Sequence, residues 1–152
     1  MGKEYVEKYI NLLEEIIKEF PLKTESLSEE DFSRKESVSK WSKKEILGHL
    51  VDSALNNLQR YIRVQYQEVP HVVYHQNEWV TFQNWQELPS KEILTLWKVI
   101  NKQIVHVWKN FSEEKINAAI NVSKEKEEIY TFKEMIDDYV THFNHHAKQI
   151  LL

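Results

Sequence analysis

Apolar residues recur at intervals of three and four along four long segments, and this period constrains the fold more than any other feature. The segments run from about Lys3 to Phe20, from Ser42 to about Gln67, from Ser90 to about Phe111, and from Thr131 to the C-terminus. The second and fourth begin with the sequences SKKE and TFKE, which have the form of helix capping boxes. Pro21 is expected to end the first helix. The pattern predicts an all-α four-helix bundle.

Composition supports this prediction. The chain of 152 residues has only two glycines and three prolines, whereas all-β folds use many such residues in turns. With 41% hydrophobic residues, the chain has enough apolar surface for a core, so bulk disorder is excluded. The length predicts a single domain over residues 1–152. The absence of cysteine excludes disulfides, thiolate zinc sites and a cysteine nucleophile.

The charge and hydropathy of the chain argue against two classes of partner, nucleic acids and membranes. The net charge is −4, so there is no global basic excess for binding nucleic acid, although a local basic patch remains compatible with it. No apolar run is long enough to span a membrane. The N-terminus is amphipathic and carries acids early, unlike a signal peptide. We therefore expect a cytoplasmic protein.

Two connections between the predicted helices are long. Residues 68–89 separate the second and third helices, and residues 112–130 separate the third and fourth. The second connection includes a short amphipathic piece from Glu114 to Ile120 and then a charged turn from Lys124 to Glu128. Long ordered connections often carry function, and either could form a crossover or a lid over one end of the bundle. Gly48 lies inside the second helix and costs about 1 kcal/mol relative to alanine, so we expect another group to approach closely there.

Three of the seven histidines lie where a metal site could form. His142 and His146 are one helical turn apart and border the apolar face of the fourth helix. His49 lies on a polar strip beside the core face of the second helix, so it could supply a third nitrogen if these helices are neighbours. Three neutral imidazoles would leave coordination positions open, as in catalytic sites, and all-nitrogen ligation suits zinc, nickel, copper or iron.

The histidines also allow simpler interpretations. The spacing of His142 and His146 could be coincidental, and His49 alone could be a hydrogen-bonded border residue. His106 is predicted to face solvent, and His145 to lie on the polar side of its helix. His71 and His75 have the same four-residue spacing but fall in a predicted loop, where that spacing carries less meaning.

Three segments together resemble one family. Residues 41–53 (WSKKEILGHLVDS) are similar to the WSxxExxxHxxD segment of the DinB-like, YfiT-type proteins. Residues 142–150 (HFNHHAKQI) resemble the HxxHHxxQI segment of these proteins, and residues 76–80 (QNEWV) resemble their QDEW stretch. Asn77 departs from this pattern, because an acid is common there. The resemblance covers about the whole chain, and the order of the three motifs makes it specific.

This resemblance implies a four-helix bundle in which His49, His142 and His146 bind a divalent metal and His145 does not. It also implies activities: some members are S-transferases that use a low-molecular-weight thiol such as bacillithiol, related members are thiol-dependent isomerases, and others are described only as metal-dependent hydrolases. Members are often dimers, so a homodimer is expected. The leading hypothesis is a thiol transferase in which the metal stabilises a thiolate that attacks an electrophilic carbon.

Three further residues are candidates for catalysis. Asp52 could orient an imidazole, and Arg60 could contact a substrate carboxylate, although both could instead form an exposed ion pair. The main alternative is a metal-activated water that hydrolyses an ester or amide, with Glu78 or Asp52 as the general base. A third hypothesis is a protein that binds a metal or a small molecule without catalysis.

Overall fold

Six helices and one small sheet make up the computed structural model, which describes residues 2–152. The helices are α1 (Gly2–Lys23), α2 (Glu29–Ser33), α3 (Lys43–Arg63), α4 (Gln76–Gln83), α5 (Ser90–Lys109) and α6 (Phe132–Leu151). Strands β1 (Ala119–Asn121) and β2 (Ile129–Thr131) pair antiparallel, and two 3₁₀ turns occur at Trp85–Glu87 and Glu113–Lys115. Within residues 2–152, no helix has both the length and the apolar character needed to cross a membrane.

The four long helices form the predicted bundle. Helices α1 and α3 each pack against both α5 and α6, so the order around the bundle axis is α1, α5, α3, α6. The apolar stripes of these helices meet in one core, which includes the fully buried side chains of Leu13, Leu47, Trp97, Ile104 and Ile136. The predicted capping boxes at Ser42 and Thr131 are both present and fix where α3 and α6 begin. The prediction of an all-α four-helix bundle is confirmed, with a two-stranded sheet added to it.

Two predicted helix ends differ from the structure. Pro21 does not end α1, which continues to Lys23, because a proline near the C-terminus removes only its own N–H. The N–H of Thr24 still reaches the carbonyl of Phe20 at 3.2 Å. Helix α3 ends at Arg63 rather than near Gln67, and residues 64–67 form turns.

The connection before α6 is a β-hairpin, and the amphipathic piece from Glu114 to Ile120 leads into its first strand. Only Glu113–Lys115 forms a turn of 3₁₀ helix, and the chain then enters β1. Ile120 is fully buried while its two neighbours in β1 are only partly buried, which is the two-residue period of a strand.

The backbone of Asn121 in β1 also bonds to the carbonyl of Pro70 and to the N–H of Val72, both at 3.0 Å. We call residues 70–75, which follow α3 and lie beside β1, the strap.

Two buried tyrosines at the centre of the bundle differ in their hydrogen bonds. The hydroxyl of Tyr139 donates to Oδ1 of Asn101 at 2.6 Å, whereas the buried hydroxyl of Tyr61 has no partner within residues 2–152. A buried polar group without a partner costs about 1–3 kcal/mol. We therefore expect Tyr61→Phe to raise the free energy of unfolding by about 1 kcal/mol, and Tyr139→Phe to lower it by a similar amount. Urea denaturation of the two variants measures both, and equal changes in the same direction would contradict the assignment.

Candidate metal centre

The three histidines come together at the seam between α3 and α6. His49 projects from α3 and is 1% exposed, while His142 and His146 are half-buried on successive turns of α6. The Nε2 atoms of His49 and His142 are 3.0 Å apart, and one nitrogen from each ring lies within 4.8 Å of the other two. Two nitrogens bound to one ion at about 2.1 Å are roughly 3 to 4 Å apart. The cluster therefore has the donors for a metal ion, and its nitrogens lie within about 1 Å of the spacing that one ion requires.

Two of the rings are oriented by partners outside the cluster. Nδ1 of His146 lies 2.7 Å from Oε1 of Gln149, and since an amide oxygen only accepts, the Nδ1 carries the proton. Nδ1 of His49 lies 3.0 Å from the hydroxyl of Tyr74, whose ring is stacked nearly parallel to the imidazole. Nε2 of His146 therefore keeps a free lone pair, and Nε2 of His49 does so when the Tyr74 hydroxyl accepts the Nδ1 proton. Outer partners of this kind fix the tautomer and orientation of metal-binding histidines.

Burial keeps the imidazoles neutral. Desolvation, followed by repulsion from the other two rings, lowers the pKa of His49 from 6.5 to about 3. Desolvation and the neighbouring His146 and His145 lower the pKa of His142 to about 4. The pKa of His146 is also lowered, mainly by burial. At neutral pH, all three side chains are therefore in the unprotonated form that binds metals.

Asp52 contacts other groups than the predicted imidazole. Its buried carboxylate accepts hydrogen bonds from Nε2 of Gln83 at 3.0 Å and from Nε1 of Trp85 at 3.1 Å. Burial raises the pKa of this carboxyl to about 6. The group that orients His49 is Tyr74, on the strap. Asp52 instead fastens the segment after α4 onto α3, one turn beyond His49.

Close packing of Trp85 on Gly48 also holds the segment after α4 against α3. The indole of Trp85 lies on Gly48, and a Cβ built on Gly48 would be only 2.2 Å from Cγ of that ring. The structure thus gives the reason for the glycine that the sequence analysis identified. Trp85 is only 3% exposed, so its indole is part of the core and faces neither a pocket nor the surface.

Arg60 is buried, so the expectation of an exposed ion pair with Asp52 is wrong. Its Nη2 and Nε donate to the carbonyl of Val72 at 2.8 and 3.3 Å, and its Nη1 donates to Oδ1 of Asn57 at 3.3 Å. Within residues 2–152, no carboxylate lies within ion-pair distance of the guanidinium. Arg60 therefore holds the strap two residues before Tyr74, and the strap brings Tyr74 to His49.

Glu78 lies away from the histidine cluster, on the exposed face of α4. With His75, Trp79, Phe82 and Gln83, it lines an open surface pocket of about 380 Å³, and none of the three clustered histidines lines this pocket. Trp79 packs edge-on against Tyr74, with 5.9 Å between the ring centroids. The pocket therefore adjoins the aromatic residues around His49 and contains no group that contacts the imidazoles.

The other histidines lie outside the cluster. His106 and His145 are exposed, as predicted, although the ring of His145 packs against that of His146 with centroids 4.9 Å apart. His71 is exposed, and its Nε2 donates to the carbonyl of Ser123 at 2.8 Å. His75 immediately precedes α4 and lines the pocket that contains Glu78.

Several residues that shape the site were not predicted from the sequence. Gln149 lies three residues after His146, so helical spacing could have identified it as a partner. Trp41 precedes the capping box of α3 and packs against the ring of His49, with centroids 4.9 Å apart. Tyr74 lies in a connection without a period, so its place beside His49 has no local sequence signal.

The fold and the histidine cluster define a four-helix-bundle protein of the class that builds a site from side chains on facing helices. The chain belongs to the DinB superfamily, whose family model matches residues 12–150. The resemblance noted in the sequence analysis is thereby confirmed. No curated protein sequence matches the chain significantly.

Two solved structures share the fold. YfiT from Bacillus subtilis, described as a probable metal-dependent hydrolase with an unusual four-helix bundle topology, superposes with a TM-score of 0.87 at 20% identity. The match covers 99% of this chain and 86% of YfiT. A mycothiol-dependent maleylpyruvate isomerase superposes with a TM-score of 0.77 at 11% identity, covering 95% of this chain and 60% of the isomerase. At these identities, the likeness shows the fold alone.

Proposed function

We propose that His49, His142 and His146 bind one divalent metal ion and that the protein is a metal-dependent thiol S-transferase. The observation that carries this proposal is the cluster itself, which has three neutral imidazoles and no fourth protein ligand within residues 2–152. Three protein ligands leave positions for an external ligand, as catalytic sites do, whereas structural zinc sites are closed by four. Zinc, nickel, copper and iron all suit imidazole ligands.

An ion in this site would supply a nucleophile at neutral pH, because a divalent metal lowers the pKa of a bound thiol or water. The residues around the site have distinct proposed roles. Tyr74 and Gln149 hold two rings in the tautomer that presents Nε2 to the ion. Asp52 anchors the wall formed by Trp85 and Gln83.

Arg60 remains the proposed contact for a carboxylate on a substrate. Its guanidinium is buried and lacks an ion-pair partner within the described residues, and its known hydrogen bonds go to Val72 and Asn57. The guanidinium has five N–H donors, and these three hydrogen bonds leave others free to bind a substrate carboxylate. The same side chain also holds the strap, so its substitution would affect both roles.

The proposed substrates are a low-molecular-weight thiol, such as bacillithiol, and an electrophile that accepts the sulfur. The resemblance to thiol-using members supports the thiol, and the isomerase that shares the fold is named as mycothiol-dependent. The second candidate is hydrolysis, which the description of YfiT favours. For hydrolysis, Asp52 and Glu78 both stay candidate bases: both oxygens of Asp52 already accept hydrogen bonds, and Glu78 lies outside the histidine cluster.

The ligands come from α3 and α6, and His49 lies 93 residues before His142 in the chain. This arrangement supports the expectation that residues 1–152 act as a single domain. A homodimer remains a prediction, and size-exclusion chromatography with light scattering measures it.

The test compares turnover with and without metal. The untagged protein is loaded with zinc or nickel, and consumption of bacillithiol is followed with 1-chloro-2,4-dinitrobenzene as a model electrophile. We expect about one ion per chain and turnover that chelation removes and the same ion restores. Bound metal with ester hydrolysis but no thiol consumption would favour the hydrolase. Bound metal without either activity would leave the binding-only hypothesis, and no bound metal would exclude both enzymes.

The hydroxyl of Tyr74 gives a separate prediction. Tyr74→Phe keeps the stacked ring but removes the oxygen that bonds to Nδ1 of His49. We expect metal affinity to fall by about 10- to 100-fold, because outer partners of metal-binding histidines contribute effects of that size. Competition with a chromophoric chelator measures the affinity. Tyr130→Phe, on the exposed strand β2, is the matched control, and equal affinities in both variants would contradict the role of Tyr74.

A further inference from the structure

A second concave site lies between α1 and α5. This α1–α5 groove has a volume of about 450 Å³, within the range of small-molecule sites. Its rim carries the side chains of Lys18, Lys98, Lys102, His106 and Lys109. In the order α1, α5, α3, α6, this seam lies across the bundle from the one that holds the three histidines. The groove is therefore separate from the metal centre.

The positive charge of the groove is largely unpaired. Glu14 is the one acidic residue that lines it, and this carboxylate pairs with Lys109. Within residues 2–152, no carboxylate lies in ion-pair range of Lys18, Lys98 or Lys102. Lys98 and Lys102 are one turn apart on α5, an arrangement of like charges that weakens a helix. A chain with net charge −4 thus concentrates uncompensated cations at one place.

The floor of the groove is apolar. Ile17 from α1 and Val105 from α5 line it, and each is 5% exposed. A cationic rim over an apolar floor complements a molecule with an anionic group and an apolar body. A polyanion such as RNA needs a broad basic surface instead, and the exposed acids Glu15 and Glu19 on α1 line the neighbouring seam with α6.

We propose that the α1–α5 groove binds a small organic anion, such as an aromatic sulfonate, carboxylate or phosphate. The anionic group lies between Lys18, Lys98 and Lys102, and the apolar body packs on Ile17 and Val105. This inference is independent of the proposed function, because the groove contains neither the three clustered histidines nor any residue of the strap.

The test is a fluorescence titration of the full chain with 8-anilinonaphthalene-1-sulfonate, which combines an apolar body with one sulfonate. The double variant Lys98→Gln/Lys102→Gln removes two rim charges. Its matched control is Lys124→Gln/Lys126→Gln, in the exposed turn of the hairpin. We expect saturable binding of one probe per chain, a dissociation constant at least about tenfold higher in the groove variant, and an unchanged constant in the control. Added NaCl should weaken binding to the wild type.

The uncharged analogue N-phenyl-1-naphthylamine separates the role of charge from that of apolar contact. We expect it to bind at least about tenfold more weakly than the sulfonate, and equally to all three proteins. Circular dichroism melting checks that the variants stay folded. The proposal is overturned if the groove variant and its control bind the sulfonate equally, if binding does not saturate, or if the neutral probe binds as tightly as the sulfonate.

Discussion

Replacing His142 with alanine is expected to abolish stoichiometric binding of a divalent metal, and His49→Ala should do the same. With only three protein ligands, the loss of one leaves two imidazoles. We expect affinity to fall by more than about a hundredfold, beyond the effect of losing an outer hydrogen-bond partner. The measurement is metal content by mass spectrometry after dialysis. His145→Ala, next to the site but exposed, is the matched control and should retain about one ion per chain. Equal metal content in His142→Ala and His145→Ala would refute the assignment.

The depressed pKa values predict how this binding depends on pH. Protons compete with a metal for imidazole nitrogens, and an ordinary histidine with a pKa of 6.5 is mostly protonated at pH 5. Because burial holds the pKa of His49 at about 3 and that of His142 at about 4, the metal should stay bound at pH 5. It should be released as the pH falls further towards these values. Repeating the dialysis between pH 7 and pH 3 tests this, and release complete by pH 6 would contradict it.

Gly48→Ala is expected to lower the free energy of unfolding by about 1–5 kcal/mol, although alanine is the better helix former by about 1 kcal/mol. The new Cβ would lie 2.2 to 2.5 Å from three carbons of the Trp85 indole, so that buried ring must move. Its movement would break the hydrogen bond from Nε1 to Asp52 and leave a buried carboxylate short of a donor. Overpacking and the lost hydrogen bond each contribute about 1–3 kcal/mol.

Urea denaturation measures this loss of stability. Gly2→Ala is the matched control, because its Cβ would meet only the flexible end of the Ile116 side chain, at 2.8 Å. We expect Gly2→Ala to change the free energy of unfolding by less than about 0.5 kcal/mol. A Gly48→Ala variant as stable as the wild type would show that Trp85 does not pack on Gly48 in solution.

Helical spacing predicted the parts of the site that lie on long helices. The four-residue interval between His142 and His146 and the polar strip that contains His49 brought the three imidazoles together correctly. The capping boxes at Ser42 and Thr131 helped, because each fixes the residue at which its helix begins. Gly48 was also interpreted correctly as a point of close approach.

The parts that could not be predicted depend on contacts between distant segments. Tyr74 reaches His49 because the strap bonds to Asn121 on one side and to Arg60 on the other. Those bonds join residues that no helical or strand period relates. Arg60 looked like a surface residue for the same reason, since the carbonyl that buries it belongs to Val72 in a connection. The hairpin was not predicted, because its two strands have only three residues each, too few to show a strand period in the sequence.

The two Nε2 atoms that lie 3.0 Å apart belong to residues 93 positions apart in the chain. Bringing such distant points together costs an unfolded chain about 4 kcal/mol of loop entropy. An ion shared by His49 and His142 would join α3 to α6 as a reversible cross-link and oppose their separation. Opening of the bundle would then require the ion to dissociate first, so the lifetime of the native state would be governed by the lability of its coordination bonds.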